Sequence, residues 1–176
     1  MKRIITITGK HNNDALNGIT GKRKCMDNVN EEEIPHKVQL MLINKLFMEV
    51  DFINENENEV GFKNMCMREI DKKIQGYKQQ DIKKSVSEKT ILITSEEVIG
   101  KLVVSKLKCF YCKHDIFVLY KNVRDPKQWT LDRKNNEDGH SNENTLISCL
   151  KCNLQRRVMD VDKFTFTKHL KINKNN

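Results

Sequence analysis

Apolar residues recur every three or four positions over three stretches of the chain, and each stretch predicts an amphipathic helix. In the first, Val38, Met41, Leu42 and Leu46 keep that spacing behind Pro35, which suits the first turn of a helix reaching about Val50. In the second, across residues 60–84, Met67, Ile70, Ile74 and Tyr77 fall near one face. The third, residues 95–107, carries Val98, Ile99, Leu102, Val103 and Leu107, and Thr94-Ser-Glu-Glu97 ahead of it has the Thr-x-x-Glu spacing of a capping box.

Beyond the third helix the period shortens to two. Residues 116–120 (Ile-Phe-Val-Leu-Tyr) form a β-prone run, and Pro126 interrupts the segment after it. In 128–132, Trp129 and Leu131 alternate with Thr130 and Asp132, so one face of a strand enters a core while the other presents the Asp132 carboxylate. A polar loop at 135–142, a second strand at 145–148, a helix starting at 153–158 and a last helix at 161–170 capped by Asp160 complete the pattern. The predicted fold class is α+β. Residues 1–33 are polar and predicted to be poorly ordered apart from a strand at 3–8, residues 34–93 form a helical accessory region, and the Asn-Glu repeat at 54–59 within it is a solvated linker. Residues 94–176 hold the candidate chemistry.

Charge sharpens that division. Residues 1–100 carry 16 basic and 16 acidic side chains and residues 101–176 carry 16 and 8, so the whole net charge of +8 lies in the C-terminal part. A local positive field suits a polyanion, because Lys and Arg that neutralise phosphates release condensed counterions; the plain alternative is a soluble lysine-rich face. No run approaches the roughly 20 apolar residues that span a bilayer. The start of the chain lacks a secretory pattern, so the expectation is a soluble intracellular protein of cytoplasm or nucleus. Gly18-Ile-Thr-Gly21-Lys22 lacks the spacing and the Ser or Thr of a phosphate-binding loop, which excludes that reading.

Four of the six cysteines form two Cys-x-x-Cys pairs, Cys109/Cys112 and Cys149/Cys152, separated by 36 residues. In a reducing compartment that arrangement favours one tetrahedral Zn²⁺ held by four thiolates over disulfides or redox chemistry. Such a site would close the intervening segment into a loop with fixed ends. Inside the loop lie Trp129-Thr-Leu-Asp132-Arg133-Lys134, Gly139-His140 and Asn144, and Asn153 comes directly after the last cysteine.

This series resembles the zinc-containing branch of the HNH, or His-Me finger, endonucleases, in the form W-x-L-D-R, G-H, N, C-x-x-C-N seen in phages and large DNA viruses. The resemblance covers residues 94–172 and implies a ββα unit that holds one catalytic divalent metal against a scissile DNA phosphate. It makes Asp132 and Asn153 ligands of a catalytic Mg²⁺ or Mn²⁺ and Asn144 a structural tie for the loop. The chain departs from the family at Arg133, where the general-base histidine normally stands. His140 is the histidine inside the bracket, and a pKa near 6.5 suits it to the base role; a loop histidine that only shapes the turn is the alternative. Arg133 stays protonated, so its readings are a phosphate clamp or an ion pair with Asp132 or Asp138. Lys134, Arg156 and Arg157 are candidate contacts to DNA backbone, and Trp129 is read as core.

Three functions are compatible with this pattern: a divalent-metal-dependent DNA endonuclease, a degenerate zinc module that binds nucleic acid without cutting it, and a virion or interaction protein that uses the zinc fold structurally. In the last, the Met-rich helix of the 34–93 region docks a protein partner.

Overall fold

The structure, a computed structural model, describes residues 34–48, 57–86 and 90–170. The poorly ordered N-terminal segment, the strand at 3–8 and residues 54–56 of the expected linker lie outside the described residues. Within them the order is α1 (His36–Phe47), α2 (Glu57–Lys83), α3 (Ser95–Val104), β1 (Trp129–Arg133), β2 (Thr145–Cys149), α4 (Leu150–Arg156) and α5 (Val161–His169). The fold is α+β, with one two-stranded antiparallel sheet. Helix α2 begins inside the Asn-Glu repeat, at Glu57, three residues earlier than the apolar stripe alone suggests.

Local chemistry sets the element ends. Thr94 and Glu97 form a reciprocal capping box at the start of α3, with Glu97 N donating to Thr94 Oγ1 at 3.3 Å and Thr94 N donating to Glu97 Oε2 at 2.9 Å. The helix stops at Val104, short of the predicted Leu107, because Lys106 and Leu107 turn left-handed at φ 52° and 49° and Leu107 N bonds back to Leu102 O. Helix α4 starts earlier than predicted because Cys149 caps it: its Sγ accepts from Cys152 N at 3.3 Å. The second cysteine pair is therefore also a helix N-terminus.

One buried cluster runs through Leu42 and Ile43 of α1, Ile70 and Ile74 of α2, Leu102 of α3 and Trp129 and Ile147 of the sheet. The core does not divide at residue 93, so the helical region expected to be accessory is packed into the half that carries the four cysteines. The β-prone run at 116–120 forms no strand and only an isolated bridge from Phe117 to Gln128. Its backbone is satisfied by Gln39 of α1, whose Oε1 accepts from Val118 N at 2.8 Å and Leu119 N at 2.9 Å while its Nε2 donates to Leu119 O at 3.0 Å. Each of these bonds contributes about 1 kcal/mol net, and a buried amide left without its partner would cost about 1–3 kcal/mol. Met41 on α1 and Met48 just after it are exposed; the buried face is Gln39, Leu42 and Ile43.

Strand β1 pairs with β2 in the register Trp129 to Cys149, Leu131 to Ile147 and Arg133 to Thr145. Its other edge faces α2. There the Tyr77 hydroxyl oxygen accepts from Leu131 N at 3.0 Å, and Lys73 donates to Trp129 O and, at 3.0 Å, to Gln128 Oε1. All five residues of β1 are buried, the Asp132 carboxylate beneath Tyr111 and Arg156, so the predicted alternation of one wet and one dry face does not hold.

Candidate metal centre and basic cleft

The four sulfurs of Cys109, Cys112, Cys149 and Cys152 lie within 4.8 Å of one another. A Zn–S bond of about 2.3 Å in a regular tetrahedron puts the sulfurs about 3.8 Å apart. Cys112 Sγ and Cys149 Sγ are 3.9 Å apart, far beyond a disulfide bond, and all four cysteines are free thiols. The donor set and spacing thus fit a metal ion such as zinc. Hydrogen bonding from Cys149, helped by backbone N–H groups, draws the Cys109 thiol down to about 4, and that thiolate in turn holds Cys149 up. Burial pushes Cys152 up to about 12. Four thiols this close cannot all ionise without a cation among them.

A metal ion held there would fix β2 and the first turn of α4, and with them Asn153. The Asn153 Nδ2 donates to Thr130 Oγ1 at 3.1 Å and to Leu131 O at 3.3 Å. That orientation leaves its Oδ1 without a hydrogen bond among the described residues and open to solvent. Thr130 in turn donates to Ser148 O at 3.1 Å, tying the amide to the sheet.

Asp132 is more deeply engaged than the sequence suggests. Arg156 grips it with two prongs, Nε to Oδ2 at 2.7 Å and Nη2 to Oδ1 at 2.9 Å, and Tyr111 donates to Oδ2 at 2.6 Å. Arg156 also donates to Arg133 O at 2.5 Å and Met159 O at 2.6 Å. It is 2% exposed and has no reach to a DNA backbone, which corrects its assignment as a phosphate contact. Lys134 and Arg157, by contrast, are exposed. Both burial and the Asp132 carboxylate push the Tyr111 phenol far above its ordinary value, so it stays a donor. A carboxylate has about four lone-pair sites, and three are taken here, which leaves one on Oδ1.

His140 is not a freely placed loop residue. It is 4% exposed, its ring stacks on Tyr77 at 4.5 Å between centroids, and it is held by Asp81 of α2. Asp81 Oδ1 lies 2.7 Å from His140 Nδ1, and Oδ2 accepts from His140 N at 2.7 Å. Burial lowers the imidazole below its ordinary 6.5 against the pull of Asp81, with Arg133 and Lys84 adding repulsion. The other nitrogen, Nε2, has no partner among the described residues and reaches solvent.

Arg133 donates to Asp138 O at 3.0 Å and stands 4.0 Å from Asp81 Oδ1, so its nearest carboxylate is neither of the two the sequence offered. Asn144 ties the loop shut. Its Oδ1 accepts from Asn135 N, and its Nδ2 donates to Asn135 O and Gly139 O, each at 2.9 Å. Gly139 is needed because a Cβ there would run into Thr90 Oγ1 and meet Asp81 Oδ2 at 3.0 Å.

Asp132, Arg133, His140 and Asn153 all line one cleft between α2 and the sheet with α4. Its walls add Lys72, Lys73, Lys84 and Arg157, so five cations face two carboxylates, Asp132 and Glu137. No protein-family model, curated protein or solved structure matches the chain. Among the described residues no helix is long and apolar enough to cross a membrane.

The sequence did not single out Asp81, Tyr77 or Tyr111 for the site. Asp81 had one local signal: it continues the buried stripe Ile70, Ile74, Tyr77 at the next helical position, where a carboxylate must find a partner.

Proposed function

We propose that the chain is a divalent-metal-dependent endonuclease of the HNH type, hydrolysing DNA phosphodiester bonds in the cleft between α2 and the β1–β2–α4 unit. The observation that carries this reading is the presence of two open acceptors on the walls of one cationic cleft. Asn153 Oδ1 and His140 Nε2 line the same cleft, and each lacks a protein partner among the described residues. Structural Zn²⁺ on Cys109, Cys112, Cys149 and Cys152 would hold the turn that carries Asn153.

Asn153 Oδ1 and the remaining lone pair of Asp132 Oδ1 are the atoms that would hold Mg²⁺ or Mn²⁺, which supplies positive charge for a leaving 3′ oxygen. The chain's own part is proton transfer and binding. His140 Nε2 accepts the proton of the attacking water, since a neutral imidazole is the form the site maintains. Exposed Lys84 and Arg157 neutralise flanking phosphates. Arg133 is buried, and its charge supports the Asp81 carboxylate.

A second reading, a zinc module that binds nucleic acid without cutting it, is favoured by the two-pronged Arg156 on Asp132, because a cation already satisfies most of that carboxylate. Incubation of the zinc-loaded protein with supercoiled plasmid and Mg²⁺ or Mn²⁺ separates the two. Nicked circles that require the metal support the endonuclease; salt-sensitive DNA binding without nicks supports the module.

A further inference from the structure

We infer that Asp81, on the helix expected to be accessory, is a positioning residue that fixes His140 as its Nδ1–H tautomer and leaves Nε2 bare toward the cleft. The use of Nε2 as a base rests on the endonuclease reading; the tautomer does not.

The geometry permits one assignment. Both Asp81 oxygens are acceptors, and they face two groups of the same residue: Oδ2 takes the His140 backbone N–H and Oδ1 takes Nδ1, each at 2.7 Å. An acceptor opposite Nδ1 puts the ring proton there. Tyr77 stacks against the ring on one side, and Gly139 lets the loop come close enough for both contacts. The charged groups around the pair are Arg133 from β1, 4.0 Å from Asp81 Oδ1, and Lys84 from the turn after α2, and both oppose a cationic imidazole. Asp81 is 3% exposed, and a buried carboxylate with no such duty would be a net cost to the fold.

Asp81→Asn provides the test because it keeps shape and changes pattern. An amide has one acceptor, and the His140 backbone N–H requires it. The NH₂ group then faces Nδ1, which must become the acceptor, and the ring proton moves to Nε2. The same logic applies where an Asp orients a catalytic histidine in serine proteases. Long-range ¹H–¹⁵N spectra of the zinc-loaded, histidine-labelled chain read the tautomer directly. The expected result is a protonated Nδ1 and a bare Nε2 in the natural chain, and the reverse in Asp81→Asn. Nicking should fall at least a hundredfold in that variant while zinc content and the folded-state circular dichroism spectrum match those of the natural chain. A natural chain with Nε2 protonated, or an Asp81→Asn chain with an unchanged tautomer, overturns the inference. If Asp81→Asn does not fold, the natural chain's spectrum alone decides. Should the natural chain not nick DNA, the tautomer result still stands and only the endonuclease reading falls.

Discussion

Arg156 closes on Asp132 from 24 residues away in the chain, through Nε at 2.7 Å and Nη2 at 2.9 Å, with both side chains almost sealed from water. The pair locks α4 onto the end of β1, the two elements that carry the candidate ligands. Asp132 therefore has a structural role whatever it does for a metal.

Removing one partner should leave an uncompensated buried charge, which costs about 3–5 kcal/mol. Arg156→Met should accordingly lower the melting temperature by roughly 6–20 °C, taking about 2–4 °C per kcal/mol for a chain of this size. Thermal denaturation monitored by circular dichroism measures it. A shift under about 2 °C would show that the pair is not sealed as described. The result also bears on Asp132→Ala, which loses fold and activity together. Asn153→Ala, whose Nδ2 makes only two neutral hydrogen bonds, is the cleaner probe of the metal site.

The four-cysteine centre should contain one zinc per chain by elemental analysis. Cys152→Ser, or exhaustive chelation, should release the metal and unfold the segment around β2, because binding and folding free energies are shared in such sites. A metal-free chain that kept its full set of native amide resonances would contradict the assignment.

Much of the fold is legible in the sequence for reasons that are local. The capping box announces α3, the stripe from Ile70 to Tyr77 announces α2, and the cysteine spacing announces the four-cysteine cluster. Contacts between distant residues are not legible. Gln39 replaces a strand partner for 118–119 from 80 positions away, Asp81 meets His140 across 59, and Arg156 meets Asp132 across 24. None leaves a spacing pattern, because the fold supplies the partner. For the same reason the Asp132 face of β1 is buried: the covering residues are Tyr111 and Arg156, 21 and 24 positions away.

Gly139→Ala tests the loop's approach to α2. The added methyl meets Thr90 and the Asp81 carboxylate, so the loop must retreat and lose its hold on His140. Overpacking of this kind costs about 1–3 kcal/mol. The expected outcome is a modest drop in melting temperature with a much larger loss of nicking, and equal losses in both would argue against a site-specific effect.

His140 sets the pH dependence. Its folded pKa lies below 6.5, the value the unfolded chain regains. Between the two values the unfolded state binds more protons, so stability rises with pH there and is lost as pH falls below 6.5. The nicking rate should fall over the same acid range, with its midpoint below 6.5, as the bare nitrogen takes a proton. His140→Gln should abolish nicking and remove the loss of stability between the two values. An acid limb that survives in that variant belongs to another group.

Metal-dependent nicking of supercoiled plasmid by the zinc-loaded natural chain, run beside Asn153→Ala, tests the endonuclease most directly. The account predicts nicked circles with Mg²⁺ or Mn²⁺, none with chelator, and at least a hundredfold less product from a variant that retains its zinc and melting temperature. Equal nicking by the two chains, or none by the natural chain across both metals, would contradict it.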